Sequence, residues 1–173
     1  MNSAVVQPVA LPTGTLIEEA FVQPDYADAY RARLPAGAPT HIGVLVSAAF
    51  GSVPGWVQRL MTLRNWLVQP LGLKISLPSP MVFDLRPGGQ LGIFKVYARS
   101  DDEVLLGEDD HHLDFRVSLL RVPEQGSDWI VVSTVVRFNN WLGRLYFLPV
   151  QFFHRLIVVA MLRRGLLLFS ECS

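Results

Sequence analysis

The chain has 173 residues, half of them hydrophobic, and a mean hydropathy of +0.31. These values suit one folded domain with a sizeable core and exclude a disordered chain. Its 15 basic and 15 acidic side chains give a formal net charge of zero, without the basic excess expected of a nucleic-acid-binding protein. The only cysteine, Cys172, excludes an intramolecular disulfide framework and a cysteine-based zinc site, and favours a reducing, cytoplasmic setting.

The N-terminal part predicts a loose leader followed by short elements. Residues 1–15 are small and polar, and they lack the basic and apolar regions of a signal peptide. A single domain is expected over residues 16–173. Tyr26 and Tyr30 lie four positions apart, as they would on a short helix, and the apolar run at residues 41–49 predicts a strand.

A helix is predicted next. Ser52 and Pro54 are typical of a helix start, because serine caps the first turn and proline fits its backbone angle. Helical spacing places four apolar residues on one stripe: Trp56, Leu60, Leu63 and Leu67. Arg64 lies at the edge of this stripe. It is interpreted either as part of a buried-edge ion pair or as a cavity residue that binds an anionic group such as a carboxylate.

The middle of the chain has the pattern of an antiparallel meander. Alternating apolar and polar residues predict strands at residues 91–99, 103–108, 111–122 and 129–138. Turn-forming residues connect the later strands as hairpins.

In the third of these strands, polar residues that include Asp114 and Arg116 alternate with apolar ones. One interpretation turns the apolar face toward the terminal helix and leaves the polar row in water. His111 then points with the core residues at the mouth of a cavity, and His112 points outward. The other interpretation lines the cavity with the polar row. A one-residue change of register exchanges the two faces, so both interpretations stay open.

Residues 145–169 approach the composition of a membrane-spanning helix, but His154 and several arginines interrupt them. No apolar run reaches the roughly 18–20 residues that a span needs. We therefore predict no membrane span, and we expect a sheet to cover most of this helix. The order of elements predicts an α+β fold in which a curved antiparallel sheet wraps around a long C-terminal helix and encloses a cavity.

Three ordered blocks of residues carry a resemblance to a known family. They are Pro54-Gly55-Trp56 with Leu60-Met61-Thr62-Leu63-Arg64-Asn65, then residues 107–116, then Asn139, Gly143-Arg144, Tyr146, Val150, Phe153-His154 and Met161-Leu162. Over about residues 17–165 the chain resembles the DUF2867 family of uncharacterised proteins, placed near the START/Bet v 1-like (SRPBCC) helix-grip superfamily. The resemblance implies a helix-grip fold. It also implies a functional link to a short-chain-dehydrogenase-like protein, because related domains occur fused behind such modules.

The residues that could carry chemistry lie mainly near the strand-to-helix corner and on the terminal helix. His154 falls on an apolar face of the helix, where a buried imidazole needs a partner or stays neutral. It is interpreted as a satisfied core histidine or as a pocket histidine that orients or protonates a ligand. The candidate ligand-binding residues are His154, His111, Asp114, Arg116, Arg64, Asn139, Arg144 and Tyr146.

A metal site is not predicted. Residues 109–112, Asp-Asp-His-His, contain metal-ligating types, but adjacent strand residues point to opposite faces and four of them cannot converge on one ion. No cofactor-binding motif is present, and the sequence lacks a Gly-x-Ser-x-Gly elbow, a P-loop and a His-Glu-x-x-His motif.

Three functional hypotheses follow. The first is the binding of a hydrophobic or amphipathic small molecule in a cavity between the sheet and the C-terminal helix. The second is a protein-interaction or homodimerising module without a ligand. The third is a cyclase, dehydratase or isomerase that uses His154 as its acid–base group.

Overall fold

The computed structural model describes residues 5–51, 53–68 and 83–170, without the side chains of Met61 and of residues 63–68. Its elements are β1 (Val6–Val9), β2 (Tyr26–Arg33), α1 (Ile42–Gly51), α2 (Gly55–Val68), β3 (Gln90–Leu91), β4 (Phe94–Arg99), β5 (Glu103–Asp109), β6 (Leu113–Glu124), β7 (Ser127–Phe138) and α3 (Trp141–Ser170). Within the described residues, the strands form one antiparallel sheet in the order β1-β2-β7-β6-β5-β4-β3. The long helix α3 packs on this curved sheet, which confirms the predicted α+β helix-grip architecture.

The long hairpin β6–β7 forms the centre of the sheet. Its strands pair over their full length, from Leu113 opposite Phe138 to Glu124 opposite Ser127. The turn between them places Gly126 at a φ of 80°, a backbone angle that glycine adopts without steric cost. The hairpins predicted from the turn residues are therefore confirmed. The predicted strand at residues 91–99 is divided, because Gly92 turns the chain between β3 and β4 at a φ of 58°.

The N-terminal part departs from its predictions. Tyr26 and Tyr30 lie on strand β2 and not on a helix, and β2 pairs with β7 over its whole length. Val6–Val9, expected within a loose leader, forms β1 and pairs with the other edge of β2. Pairing on both edges fixes the short segment in the extended form, which overrides the helical spacing of its two tyrosines.

Residues 42–49 of the predicted strand at 41–49 form most of helix α1, so that prediction is wrong. The His41 carbonyl accepts hydrogen bonds from the backbone N–H groups of Val44 and Leu45, which starts the helix. Four buried residues recur at helical spacing: Ile42, Leu45, Val46 and Ala49. Helix α1 packs against α3 where Gly165 approaches the backbone of Ala48 and Ala49. Burial of this face outweighs the strand preference of its branched residues.

Helix α2 begins at Gly55, next to Pro54, whose carbonyl accepts hydrogen bonds from Val57 and Gln58. The predicted cap, Ser52, lies outside the described residues. The predicted apolar stripe is shifted at its start, because Val57 is buried and Trp56 is exposed. The side chains of Leu63, Leu67 and Arg64 lie outside the described residues.

The two faces of the sheet are covered differently. The main core lies on one face, where α1 and α3 pack on strand residues such as Leu106, Leu119 and Val132. The opposite face carries Leu105 and Val135, which residues 11–21 cover; we call these residues the N-terminal segment. Because Leu119 and Val117 belong to the main core, the apolar face of β6 points toward the helices, as one of the two interpretations expected.

Helix α3 is covered along one side only. Its buried residues are Gly143, Phe147, Val158, Leu162, Gly165 and Leu166. Among the described residues, α3 is the one helix long and apolar enough to cross a membrane by length and composition, and 17% of its apolar window is buried. The expectation that the sheet covers most of this helix is therefore wrong, because apolar residues occur on all its sides and the sheet contacts one of them.

Candidate functional site

His154 belongs to α3, and its side chain lies between the helix and the helix-facing side of the sheet. Its Nε2 is 3.1 Å from the Oγ1 of Thr134 on β7 and 3.5 Å from the Oδ1 of Asp28 on β2. Asp28 and Thr134 are direct cross-strand partners, so their side chains share one face of the sheet. The imidazole therefore sits above a neighbouring carboxylate and hydroxyl, and both His154 and Asp28 are largely buried.

A hydrogen-bond chain continues from Asp28 to the surface. The Tyr26 hydroxyl donates to Oδ2 of Asp28 at 2.6 Å, and the Nε of Arg155 donates to the Tyr26 hydroxyl at 3.5 Å. Burial, opposed by the Arg155 hydrogen bond and assisted by Asp28, raises the pKa of Tyr26 to about 12. Tyr26 is therefore protonated at neutral pH and acts as the donor that Asp28 requires.

The geometry limits the chemistry of His154. Asp28 and Thr134 both approach the same ring nitrogen, whereas a nucleophile–histidine–carboxylate relay uses opposite nitrogens. The arrangement is not such a relay. It can supply polar partners to a histidine that lies on an apolar helix face. It also provides an acid–base pair, His154 with Asp28, that can hold or release a proton.

An open cleft of about 490 Å³ lies on the flank of α3. Its lining residues are Tyr30 of β2, Trp56 of α2, and Arg155, Leu156, Val159, Ala160 and Arg163 of α3. The wall is mostly apolar, and the guanidinium groups of two arginines supply the charge. Because Arg155 lines the cleft and also donates to the Tyr26 hydroxyl, the cleft adjoins the His154 network.

The cleft differs in position from the expected cavity between sheet and helix. Beneath α3, the ring of Phe147 packs 4.8 Å from that of Tyr26 and 5.4 Å from that of Phe138, between ring centroids. These rings fill the interface near the start of the helix. The cleft lies instead beside α3, toward β2 and α2.

The strand-to-helix corner is tied to the loop before β6. The backbone N–H of Asn139 donates to the His112 carbonyl at 3.0 Å, and its side-chain amide donates to the Asp110 carbonyl at 2.8 Å. Tyr146 packs edge-on against the ring of His112, with 5.3 Å between centroids. Arg144 is exposed and lies 3.4 Å from a carboxylate oxygen of Asp25. Asn139, Arg144 and Tyr146 thus join structural elements, and the lining of the cleft does not include them.

The two neighbouring histidines are oriented opposite to the interpretation that turned the apolar face of β6 toward the helices. His111 was expected to point with the core and His112 outward, yet His112 is buried and His111 is exposed. The reason is that β6 begins only at Leu113, so the histidines lie in a bend outside the strand alternation. Asp110 lies 3.5 Å from a ring nitrogen of each. In the part of the chain that the structure describes, no group of three His, Cys, Asp or Glu residues is placed to hold a metal ion.

Asp114 and Arg116 lie neither in water nor in a cavity beneath α3. They are buried on the opposite face of the sheet, where the N-terminal segment places Phe21 5.1 Å from the guanidinium of Arg116. Arg116 pairs with Asp109 at 2.8 Å, and its guanidinium carbon lies 3.5 Å from the ring centroid of Tyr97. Both interpretations therefore placed the polar row wrongly, one in water and the other in a cavity under α3. Neither considered that the N-terminal segment covers the second face of the sheet.

The same cluster fixes the charge of Asp109. Burial acts to raise the pKa of Asp109, but hydrogen bonds from Arg116 and Tyr97 outweigh it and hold the pKa below its usual value. Asp114 is similarly paired with Arg137 at 2.6 Å. Arg116 and Asp114 are thus occupied by internal partners.

Sequence reasoning missed most residues around His154. Asp28 escaped notice because its segment was predicted as a helix, and Arg155 and Arg163 were considered only as interruptions of an apolar run. The alternation of Tyr26, Asp28 and Tyr30 was the available signal, since residues two apart share one face of a strand.

Comparison with known proteins gives a family match. The model of a family described as a protein of unknown function, DUF2867, matches residues 20–161. No curated protein and no solved structure matches the chain significantly. The matched region contains β2, α2 and most of α3, the elements that line the cleft.

Proposed function

Because the chain belongs to the DUF2867 family of proteins of unknown function, we propose its function from the geometry of the cleft beside α3. The protein binds an amphipathic small molecule that carries an anionic group. The observation behind this proposal is the lining of the cleft, in which an apolar wall is combined with the guanidinium groups of Arg155 and Arg163. The order of its helices and strands further supports a place near the START/Bet v 1-like helix-grip superfamily.

The size and lining of the cleft suit such a ligand. Its volume of about 490 Å³ lies within the range of roughly 300–1,000 Å³ typical of small-molecule sites. Leu156, Val159 and Trp56 offer apolar contact to a hydrocarbon portion. A guanidinium group binds carboxylate or phosphate oxygens through two parallel hydrogen bonds. Because the cleft is open, we expect the ligand to exchange readily with solvent.

A matched pair of arginine variants tests this proposal. Decanoate and its uncharged analogue 1-decanol are titrated into the protein by calorimetry, below their aggregation concentrations. Arg163→Gln removes a lining charge, whereas Arg164→Gln removes the next arginine, which is not among the lining residues. We expect Arg163→Gln to weaken decanoate binding about fivefold, equivalent to about 1 kcal/mol for a partly exposed charged contact.

The control variant and the uncharged ligand are expected to show no such loss. Equal affinity of wild-type protein for decanoate and decanol, or equal weakening by both arginine variants, contradicts an anion-binding cleft.

The His154 network supports a second candidate function, proton-transfer catalysis of the cyclase, dehydratase or isomerase type. The observation that favours it is the position of His154 3.5 Å from Asp28, in a network that reaches Arg155 at the cleft. Native mass spectrometry of freshly purified protein identifies any small molecule that copurifies. Incubation of that molecule with the protein is then expected to yield a product with a changed NMR spectrum and chromatographic retention, and His154→Gln to abolish the change while ligand binding is retained. An unchanged NMR spectrum and retention time reject catalysis of that ligand and leave the binding function in place.

A further inference from the structure

The first half of α3 carries an exposed apolar line, which we call the α3 stripe. Its residues are Trp141, Leu145, Leu148, Phe152 and Leu156, and they are between 49% and 72% exposed. Their spacing of three or four positions places them on one side of the helix, along about 22 Å of its length. A continuous exposed line of large apolar side chains marks an interaction surface rather than scattered surface residues.

The charged residues of α3 itself carry one sign, and the carboxylate of Asp25, outside the helix, pairs with Arg144. Helix α3 contains four arginines and neither an aspartate nor a glutamate. By helical geometry, Arg144 and Arg155 flank the stripe on one side. Arg163 lies on the same side of the helix as the stripe, about two turns after Leu156. An occupant of this surface must therefore accept apolar side chains at its centre and supply negative charge beside them.

We propose that the protein docks on an anionic membrane surface through the α3 stripe. Tryptophan, phenylalanine and leucine enter the boundary between headgroups and acyl chains, and neighbouring arginines reach lipid phosphates. The helix lies in the membrane plane, because Phe147, Val158 and Leu162 on its other side remain packed on the domain. This inference goes beyond the ligand cleft: Leu156 belongs to both surfaces, but the exposed Leu148 and Phe152, on which the inference chiefly rests, are not lining residues of the cleft.

A second copy of the chain fits the surface less well. A two-fold interface would place the α3 stripe against itself, with the arginines of two helices close together and no carboxylate on either helix. Like charges brought together at an interface oppose association. An anionic lipid surface offers the missing negative charge along the whole stripe.

Flotation with lipid vesicles tests the proposal. The full chain is mixed with vesicles of phosphatidylcholine alone and with vesicles of phosphatidylcholine and phosphatidylglycerol. We expect it to float with the anionic vesicles only, and added salt to reduce the bound fraction. Leu148→Glu and Phe152→Glu are each expected to reduce binding by about tenfold or more, because a carboxylate then enters the interface. Val22→Glu is the matched control, since Val22 is a fully exposed apolar residue outside α3.

The outcomes separate the membrane from other occupants. Circular dichroism checks that each variant is folded, and decanoate titration shows that the cleft is intact. Absence of flotation, or equal flotation of Leu148→Glu and the wild type, overturns the proposal without affecting the cleft. A lipid-free dimer that Leu148→Glu dissociates also overturns it, because the stripe then belongs to a second copy.

Discussion

Replacement of Gly143 by alanine tests how closely the start of α3 packs on the loop before β6. A Cβ at this position would collide with the carbonyl oxygen of His112, and neither backbone can move alone. The two segments would separate and weaken the hydrogen bonds that Asn139 and Asn140 make to the carbonyls of His112 and His111. Overpacking costs about 1–3 kcal/mol and each of the two weakened hydrogen bonds about 1 kcal/mol, so we expect a loss of roughly 3–5 kcal/mol in unfolding free energy.

Urea denaturation followed by circular dichroism measures this loss, and the melting temperature is expected to fall by roughly 6–20 °C. Gly55→Ala provides the control. Gly55 also lies in the first turn of a helix, but a Cβ there meets nothing within 4 Å. Because alanine favours helices, this variant is expected to be neutral or stabilised by up to about 1 kcal/mol. A Gly143→Ala variant as stable as the wild type would refute the inferred close packing.

Two further predictions concern buried polar groups. Glu103→Ala is expected to lower the unfolding free energy by about 2–4 kcal/mol, because the buried carboxylate accepts hydrogen bonds from two backbone N–H groups of the N-terminal segment. Urea denaturation measures this loss, and Glu124→Ala, at an exposed position, is the control. Tyr26 and Tyr97 are expected to ionise near pH 12 in ultraviolet titration. Burial is the largest of the effects that raise both pKa values to about 12. Since their unfolded pKa is about 10, the stability they contribute is complete below pH 10 and lost between about pH 10 and 12. Asp28→Asn is expected to lower the value for Tyr26 and not that for Tyr97; equal shifts would contradict the hydrogen-bond assignment.

The central hairpin was predictable because its information is local. Alternation along β6 and turn residues such as Gly126 indicate the strands and their connection. The alternation left open which face points inward, and burial of Leu119 selects the interpretation in which the apolar face points toward the helices. The corner at Asn139 was likewise predictable as a turn. The position of Arg116 was not, because its cover comes from Phe21 of the N-terminal segment, and no local pattern reveals such a contact.

Distant packing also explains the other errors. The helical form of α1 depends on burial against a sheet and α3, and the strand β2 depends on pairing with β7. His154 was identified as a candidate, but its partner Asp28 lies on that misassigned strand. The related contact between Arg155 and Tyr26 joins residues 129 positions apart, beyond the reach of any spacing rule.

The pairing of β2 with β7 has a consequence for the synthesis of the protein. Tyr26 pairs with Val136, so a ribosome releases β2 long before its inner neighbour exists. During that interval the apolar face of α1 has no completed sheet on which to pack. Sheets dominated by distant contacts fold slowly, and their exposed intermediates aggregate. The nascent chain is therefore expected to require a holding chaperone until β7 has emerged, and to complete its sheet only after that point.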